Sequence, residues 1–122
     1  VGRKIDARYL HVNLLESGSG KNPTRVILYV PKNAQDNLTL GNKYAAVNTS
    51  SFWVIKDLWF SGGTDSNLPS AIQFNHRFPM GMKIEWDDST QSGITTNNLK
   101  MYIDCGASST VTGHTKLFYK DR

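Results

Sequence analysis

Three histidines, one cysteine and a pair of adjacent aspartates are the side chains here whose types could support catalysis or metal binding. A histidine metal site needs a close pair on one element, such as His-x-His with a carboxylate soon after. His11, His76 and His114 lie far apart, and no two share such a spacing. His76 falls on the apolar side of its segment, which reads as a packed, hydrogen-bonded histidine and not a ligand. Asp87 and Asp88 could bind a structural calcium together with loop carbonyls. Two solvated turn residues are the preferred reading of that pair. Ser17-Gly-Ser-Gly-Lys21 looks like a phosphate loop, yet its spacing is incomplete and no helix follows to supply a dipole. A hairpin loop fits it better. Cys105 sits on the apolar side of its run and reads as core filler. It has no partner cysteine, so neither an intrachain disulfide nor a cysteine-based zinc site can form. Asn37-Leu-Thr39 and Asn48-Thr-Ser50 match the glycosylation triplet, a pattern that also arises by chance. No catalytic constellation emerges, so neither an enzyme nor a cofactor is predicted.

Charge is more informative. Fourteen Lys and Arg against ten Asp and Glu give a net charge of +4 and a pI near 9.3, a balance that favours polyanionic partners. Arg3, Lys4 and Arg8 cluster near the amino end, and Lys116, Lys120 and Arg122 near the carboxyl end. If the first and last strands are neighbours in one sheet, the two clusters merge into one basic patch able to contact phosphates. These six residues are the candidate nucleic-acid contacts. Lys56, Arg77, Lys83 and Lys100 form a second basic group on outward faces, read as a source of solubility. The three tryptophans, Trp53, Trp59 and Trp86, fall on faces assigned to the core, which argues against a dedicated base-stacking platform.

The elements that must carry these residues are strands. Apolar-rich runs alternate with Gly, Asn, Ser, Thr and Pro clusters, and no amphipathic helix is evident. Ala71 to Trp86 has Ile72, Phe74, His76, Phe78, Met80, Met82, Ile84 and Trp86 on one face, with Pro79 and Gly81 predicting a bend or bulge. Ile5 to Glu16 changes face near Tyr9, which predicts another bulge. Arg25 to Val30 is nearly all apolar and is expected to be covered on both faces. Phe52 to Phe60, Leu99 to Cys105 and Val111 to Tyr119 complete six firm strands. Lys43 to Val47 and Gly93 to Thr96 are two weaker ones. At 122 residues the chain makes one domain, spanning 1–122. Eight antiparallel strands at this length predict an all-β sandwich of the jelly-roll kind, because an immunoglobulin-like fold would want paired cysteines. No apolar run is long enough to cross a membrane as a helix. The first residue is Val1, which predicts a processed or trimmed product.

In this order the motifs resemble the coat proteins of the smallest icosahedral viruses, of the satellite tobacco necrosis virus and circular single-stranded DNA virus type. Val1-Gly-Arg-Lys-Ile-Asp-Ala-Arg-Tyr-Leu-His-Val12 is similar to that family's first strand, and Thr24-Arg-Val-Ile-Leu-Tyr-Val-Pro31 to the next. Ser51-Phe-Trp-Val-Ile-Lys-Asp-Leu-Trp-Phe60 resembles a strand with a mid-run Lys-Asp pair. Phe74 through Trp86, Leu99 to Cys105 and Val111 to Tyr119 resemble those that follow. The likeness spans nearly the whole chain but consists of strand order and short patterns. It implies a capsid protein that assembles with copies of itself into an icosahedral virion shell around a nucleic-acid genome, DNA favoured over RNA. A host receptor is a further partner it implies, and membrane insertion is not expected. The family's long basic arm is absent from this chain, and Arg3, Lys4 and Arg8 would be its stump. Two rivals stand beside this expectation: a carbohydrate-binding jelly-roll module, from the tryptophans and Asp87-Asp88, and a small nucleic-acid-binding protein that builds no shell.

Overall fold

Alternating apolar and polar residues in β-prone segments extend into strands that bury one face. The computed structural model describes residues 2–18, 23–60, 70–87, 93–105 and 109–121. Through them run seven strands: β1 (Gly2–Gly18), β2 (Thr24–Pro31), β3 (Phe52–Phe60), β4 (Ser70–Asp87), β5 (Ile94–Thr96), β6 (Lys100–Asp104) and β7 (Ser109–Asp121). They make two antiparallel sheets, a four-stranded sheet in the order β5-β4-β1-β7 and a three-stranded sheet in the order β3-β2-β6. The described residues contain no helix.

The all-β class and the two-sheet arrangement are as expected, but the strand count is seven, not eight. Lys43 to Val47 is the segment that does not become a strand. Asn42 accepts hydrogen bonds from Tyr44 N through its side chain and from Ala45 N through its carbonyl, closing a turn. That turn aims the Lys43 and Ala45 carbonyls at the Arg25 guanidinium, 2.8 and 2.7 Å away. With its carbonyls turned onto an arginine, the segment pairs with no strand.

Both predicted irregularities are present. In β1 the register shifts between Ala7 and Tyr9 against both neighbours: Ala7 faces Met82 and Tyr119, whereas Tyr9 faces Arg77 and Phe118. Residues 78–81 of β4 therefore bulge opposite the single residue Arg8. Gly81 takes a φ of 76°, and the space beside it holds the Arg8 guanidinium, 3.4 Å from where a Cβ would sit. The bulge throws Met80 outward to 92% exposure, so Met80 leaves the apolar face expected of it.

Ile5, Ala7, Leu10, Val12 and Leu14 of β1 meet Val26 and Leu28 of β2 and Ile72, Phe78 and Ile84 of β4 in the main core. β2 is buried along its whole length, as its apolar run predicts. Its second face is covered by the long 32–51 connection, where Leu38 packs on Ile27 and Tyr29 with Leu40 and Val47 alongside. Leu38 N donates to the Tyr29 hydroxyl at 3.0 Å, and Lys100 Nζ donates to the Asp36 carbonyl and Asn37 Oδ1, fastening the connection across the sheet.

β3 corrects the expectation for two tryptophans. Its register slips opposite Leu28 and Tyr29, leaving Ile55 unpaired. Ile55 turns to the core, while Trp53 and Trp59 stay 53% and 44% exposed on an edge strand. Only Trp86 packs against the main core as expected.

Candidate nucleic-acid interface

Pairing between the first and last strands determines where the charges go. β1 lies between β4 and β7, so residues two apart on β1 carry paired neighbours on the same face. On the outer face, Lys4 faces Glu85, Asp6 lies between Lys83 and Lys120, Tyr9 between Arg77 and Phe118, and His11 between Asn75 and Lys116. Cross-strand contacts confirm the shared face. His11 Nδ1 meets Asn75 Oδ1, Gln73 Nε2 donates to Asn13 Oδ1 at 3.0 Å, and the Tyr9 and Phe118 rings touch with centroids 5.8 Å apart.

The two terminal clusters do merge. Lys4 and Arg8 of β1 share this face with Lys116 and Lys120 of β7. Arg77 and Lys83, expected only to aid solubility, belong to it as well. The rest of the second basic group disperses. Lys100 ties down the 32–51 connection. Lys56 is half-buried opposite Leu28 and not on an outward face, because the slip at Ile55 turns it toward His76. Arg3 pairs with Trp86 through its backbone. The Arg3 side chain and Arg122 lie outside the described residues, as do the Asp87 side chain, Asp88 and residues 19–21 of the glycine-serine loop.

Six Lys and Arg thus share the outer face with two described carboxylates, Asp6 and Glu85. Three of the cations are engaged by those acids. Lys83 Nζ lies 2.6 Å from Glu85 Oε1, Lys4 Nζ 3.8 Å from the same oxygen, and Arg8 Nη2 3.6 Å from Asp6 Oδ2. The hydrogen bond from Lys83 holds the Glu85 carboxyl below its ordinary value. Arg77, Lys116 and Lys120 form no ion pair among the described residues, and all three are exposed. They surround the Tyr9–Phe118 pair, with Arg77 beside Tyr9 and Phe118 midway between Lys116 and Lys120. This aromatic centre contains no tryptophan, the residue type weighed above for base stacking. Phe118 was within reach, since it alternates in phase with Lys116 and Lys120. Tyr9 was not, since only the bulge brings it to this face.

The histidines separate as their strands do. His11 and His114 occupy diagonal positions on the outer face. His76 lies on the inner side of β4, half-buried, its ring edge-on to Phe78 at 4.6 Å. It is packed as expected, but it makes no hydrogen bond among the described residues. Among those residues no group of three or more His, Cys, Asp or Glu could hold a metal ion. Cys105 follows β6, half-buried, with its Sγ 3.7 Å from the Ser109 carbonyl.

Burial, and then the charge of Lys56, lowers the His76 pKa below its ordinary 6.5. The unfolded chain then binds this proton more tightly than the folded one, so stability falls as pH drops through about 6.5 toward the folded-state value, and levels off below it. Urea midpoints between pH 7.5 and 5 should decline in the native chain and decline less in His76→Gln. Equal slopes in the two proteins would rule out His76 as the source.

No protein-family model, curated protein or solved structure matches this chain.

Proposed function

We propose that this chain is the shell-forming domain of a small icosahedral virus capsid, a sandwich of the jelly-roll type that assembles with copies of itself around a nucleic-acid genome. The observation that carries the proposal is the amount of large apolar surface left in water at sheet edges and bulges. Met80, Tyr119, Trp53 and Val54 are all exposed, and three of the four outermost strands, β3, β6 and β7, run five residues or more. A monomer normally blunts such edges, whereas a shell subunit buries them against its neighbours. The strand order, with β1 beside β7 in one sheet and β2 beside β6 in the other, supports the same reading. So does the basic face, which offers a genome-facing surface even without a longer basic arm.

Negative-stain electron microscopy of the purified chain, with the ratio of absorbance at 260 and 280 nm, tests this directly. Uniform closed particles are the expected result, and the ratio reports whether they hold nucleic acid. A protein that stays monomeric at high concentration across salt and pH would overturn the proposal.

The exposure of Trp53 and Trp59 favours a second reading, a carbohydrate-binding module. Against it, Trp59 is stacked on Tyr44 at 5.3 Å with the Arg25 guanidinium 5.2 Å from its ring centroid, and Lys32 sits over Trp53 at 5.4 Å. Those rings are already engaged. Protection of tryptophan fluorescence from quenching by a glycan would favour this reading over the shell.

A further inference from the structure

We infer that the outer face of the four-stranded sheet is a platform for single-stranded nucleic acid, on which a base stacks against Phe118 while Arg77, Lys116 and Lys120 hold the adjoining phosphates. The source of that strand, an enclosed genome, rests on the capsid reading; the chemistry of the platform does not.

Charge alone would suit any polyanion. Six cations against two described carboxylates would attract a duplex, a sulfated glycan or an anionic surface equally well. What separates these partners is the centre of the face. Phe118 is 54% exposed on the outer face, and its strand neighbours on the same face are Lys116 and Lys120. Each is two residues away, roughly 7 Å along an extended strand. Its cross-strand contact with Tyr9 is tilted, at 58°, and not stacked. The contact steadies the ring while more than half of it remains in water. Arg77 lies across from Tyr9 on the other side.

Phosphate-binding cations therefore bracket an anchored, open aromatic ring. Single-strand binding reuses this combination, because every base has a face to stack and the backbone follows the cations. A four-stranded sheet presenting aromatics between basic residues is a known way to achieve it. Duplex bases are already stacked on one another and cannot use Phe118. Glycans and lipid headgroups lack the flat aromatic face. Among the described residues, the ion pairs of Lys4, Lys83 and Arg8 with Glu85 and Asp6 leave Arg77, Lys116 and Lys120 as the outer-face cations without an ion pair, and these three surround the rings.

Fluorescence anisotropy with a labelled oligo(dT), a duplex of equal length and heparin tests the inference on the whole chain. The expected result is a single strand bound more tightly than the duplex. Phe118→Ala should weaken the single strand on the order of 5- to 150-fold and leave duplex affinity unchanged, with Phe118→Tyr retaining most of it. Joint replacement of Lys116 and Lys120 by Gln should flatten the slope of log affinity against log salt by about 1.4. Circular dichroism melts of each variant separate lost binding from lost folding. Equal affinity for oligo(dT), duplex and heparin, with Phe118→Ala behaving as the parent, would overturn the inference and leave only a general polyanion surface. Electron microscopy of the same samples keeps the two ideas apart. Closed particles without single-strand preference would sink the platform alone, and single-strand preference without particles would sink the shell alone.

Discussion

Arg25→Ala is expected to remove about 1–3 kcal/mol of stability, the cost of leaving the partners of a half-buried ion pair unsatisfied. Arg25 is 6% exposed on β2, and every arm of its guanidinium is used. Nε and Nη2 donate to the two Asp57 oxygens at 2.9 and 2.6 Å, and Nη1 donates to the Lys43 and Ala45 carbonyls. Its flat face lies against Trp59, which in turn stacks on Tyr44. One side chain thus joins β2, β3 and the 32–51 connection. Truncation would strand a partly buried carboxylate and two carbonyls and loosen the cover over Ile27 and Tyr29. Arg25→Lys should not restore the loss, because a single ammonium cannot reproduce the two-pronged contact with Asp57 or the stack on Trp59. Equilibrium urea denaturation measures the change, with tryptophan fluorescence reporting the environment of Trp59. A loss below about 1 kcal/mol for Arg25→Ala would mean the network is incidental, in the range of exposed pairs.

Gly113→Ala should be comparably damaging, for a different reason. Gly113 lies in β7 opposite Leu14 with a φ of 151°, in a region that only glycine occupies comfortably. A Cβ there would lie 2.3 Å from the Asn13 carbonyl oxygen and 2.7 Å from the Leu14 Cα. Both are backbone atoms of the paired strand and cannot swing aside. The expected cost is about 3 kcal/mol or more, combining backbone strain with overpacking. Hydrogen exchange should show it locally, with amides of β7 losing protection before those of the β2–β3 ladder. Uniform loss across both sheets would contradict a defect confined to the β1–β7 seam.

Much of the fold was legible because it is local. Period-two alternation located β1, β4 and β7. The change of face near Tyr9 announced the bulge, and the apolar run Arg25 to Val30 announced a doubly covered strand. The failures are tertiary in origin. Lys43 to Val47 has strand-like composition, but Arg25 recruits its carbonyls, and a guanidinium 18 residues distant leaves no local trace. The exposure of Trp53 and Trp59 follows from the slip at Ile55 and from β3 being an edge strand, neither of which periodicity reveals. The basic patch was anticipated from the supposition that the first and last strands are neighbours. Its extension to Arg77 and Lys83 required the β1–β4 register. His76 was placed correctly on the inner side by alternation alone, although it makes no hydrogen bond among the described residues.

The pairing of β1 with β7 also governs when this protein can fold during its synthesis. Residues 2–18 are made well before residues 109–121, and one whole side of β1 stays open until the later segment exists. A nascent chain stopped before that point carries the apolar inner face of β1 with a vacant ladder beside it, a template for pairing with the wrong strand. Contacts so distant in sequence form slowly. Synthesis of β7 thereby becomes a checkpoint. A chain stopped before β7 lacks the β1–β7 seam and, with Lys116 and Lys120, two of the six Lys and Arg of the outer face, so it offers neither a closed sheet nor the full basic surface.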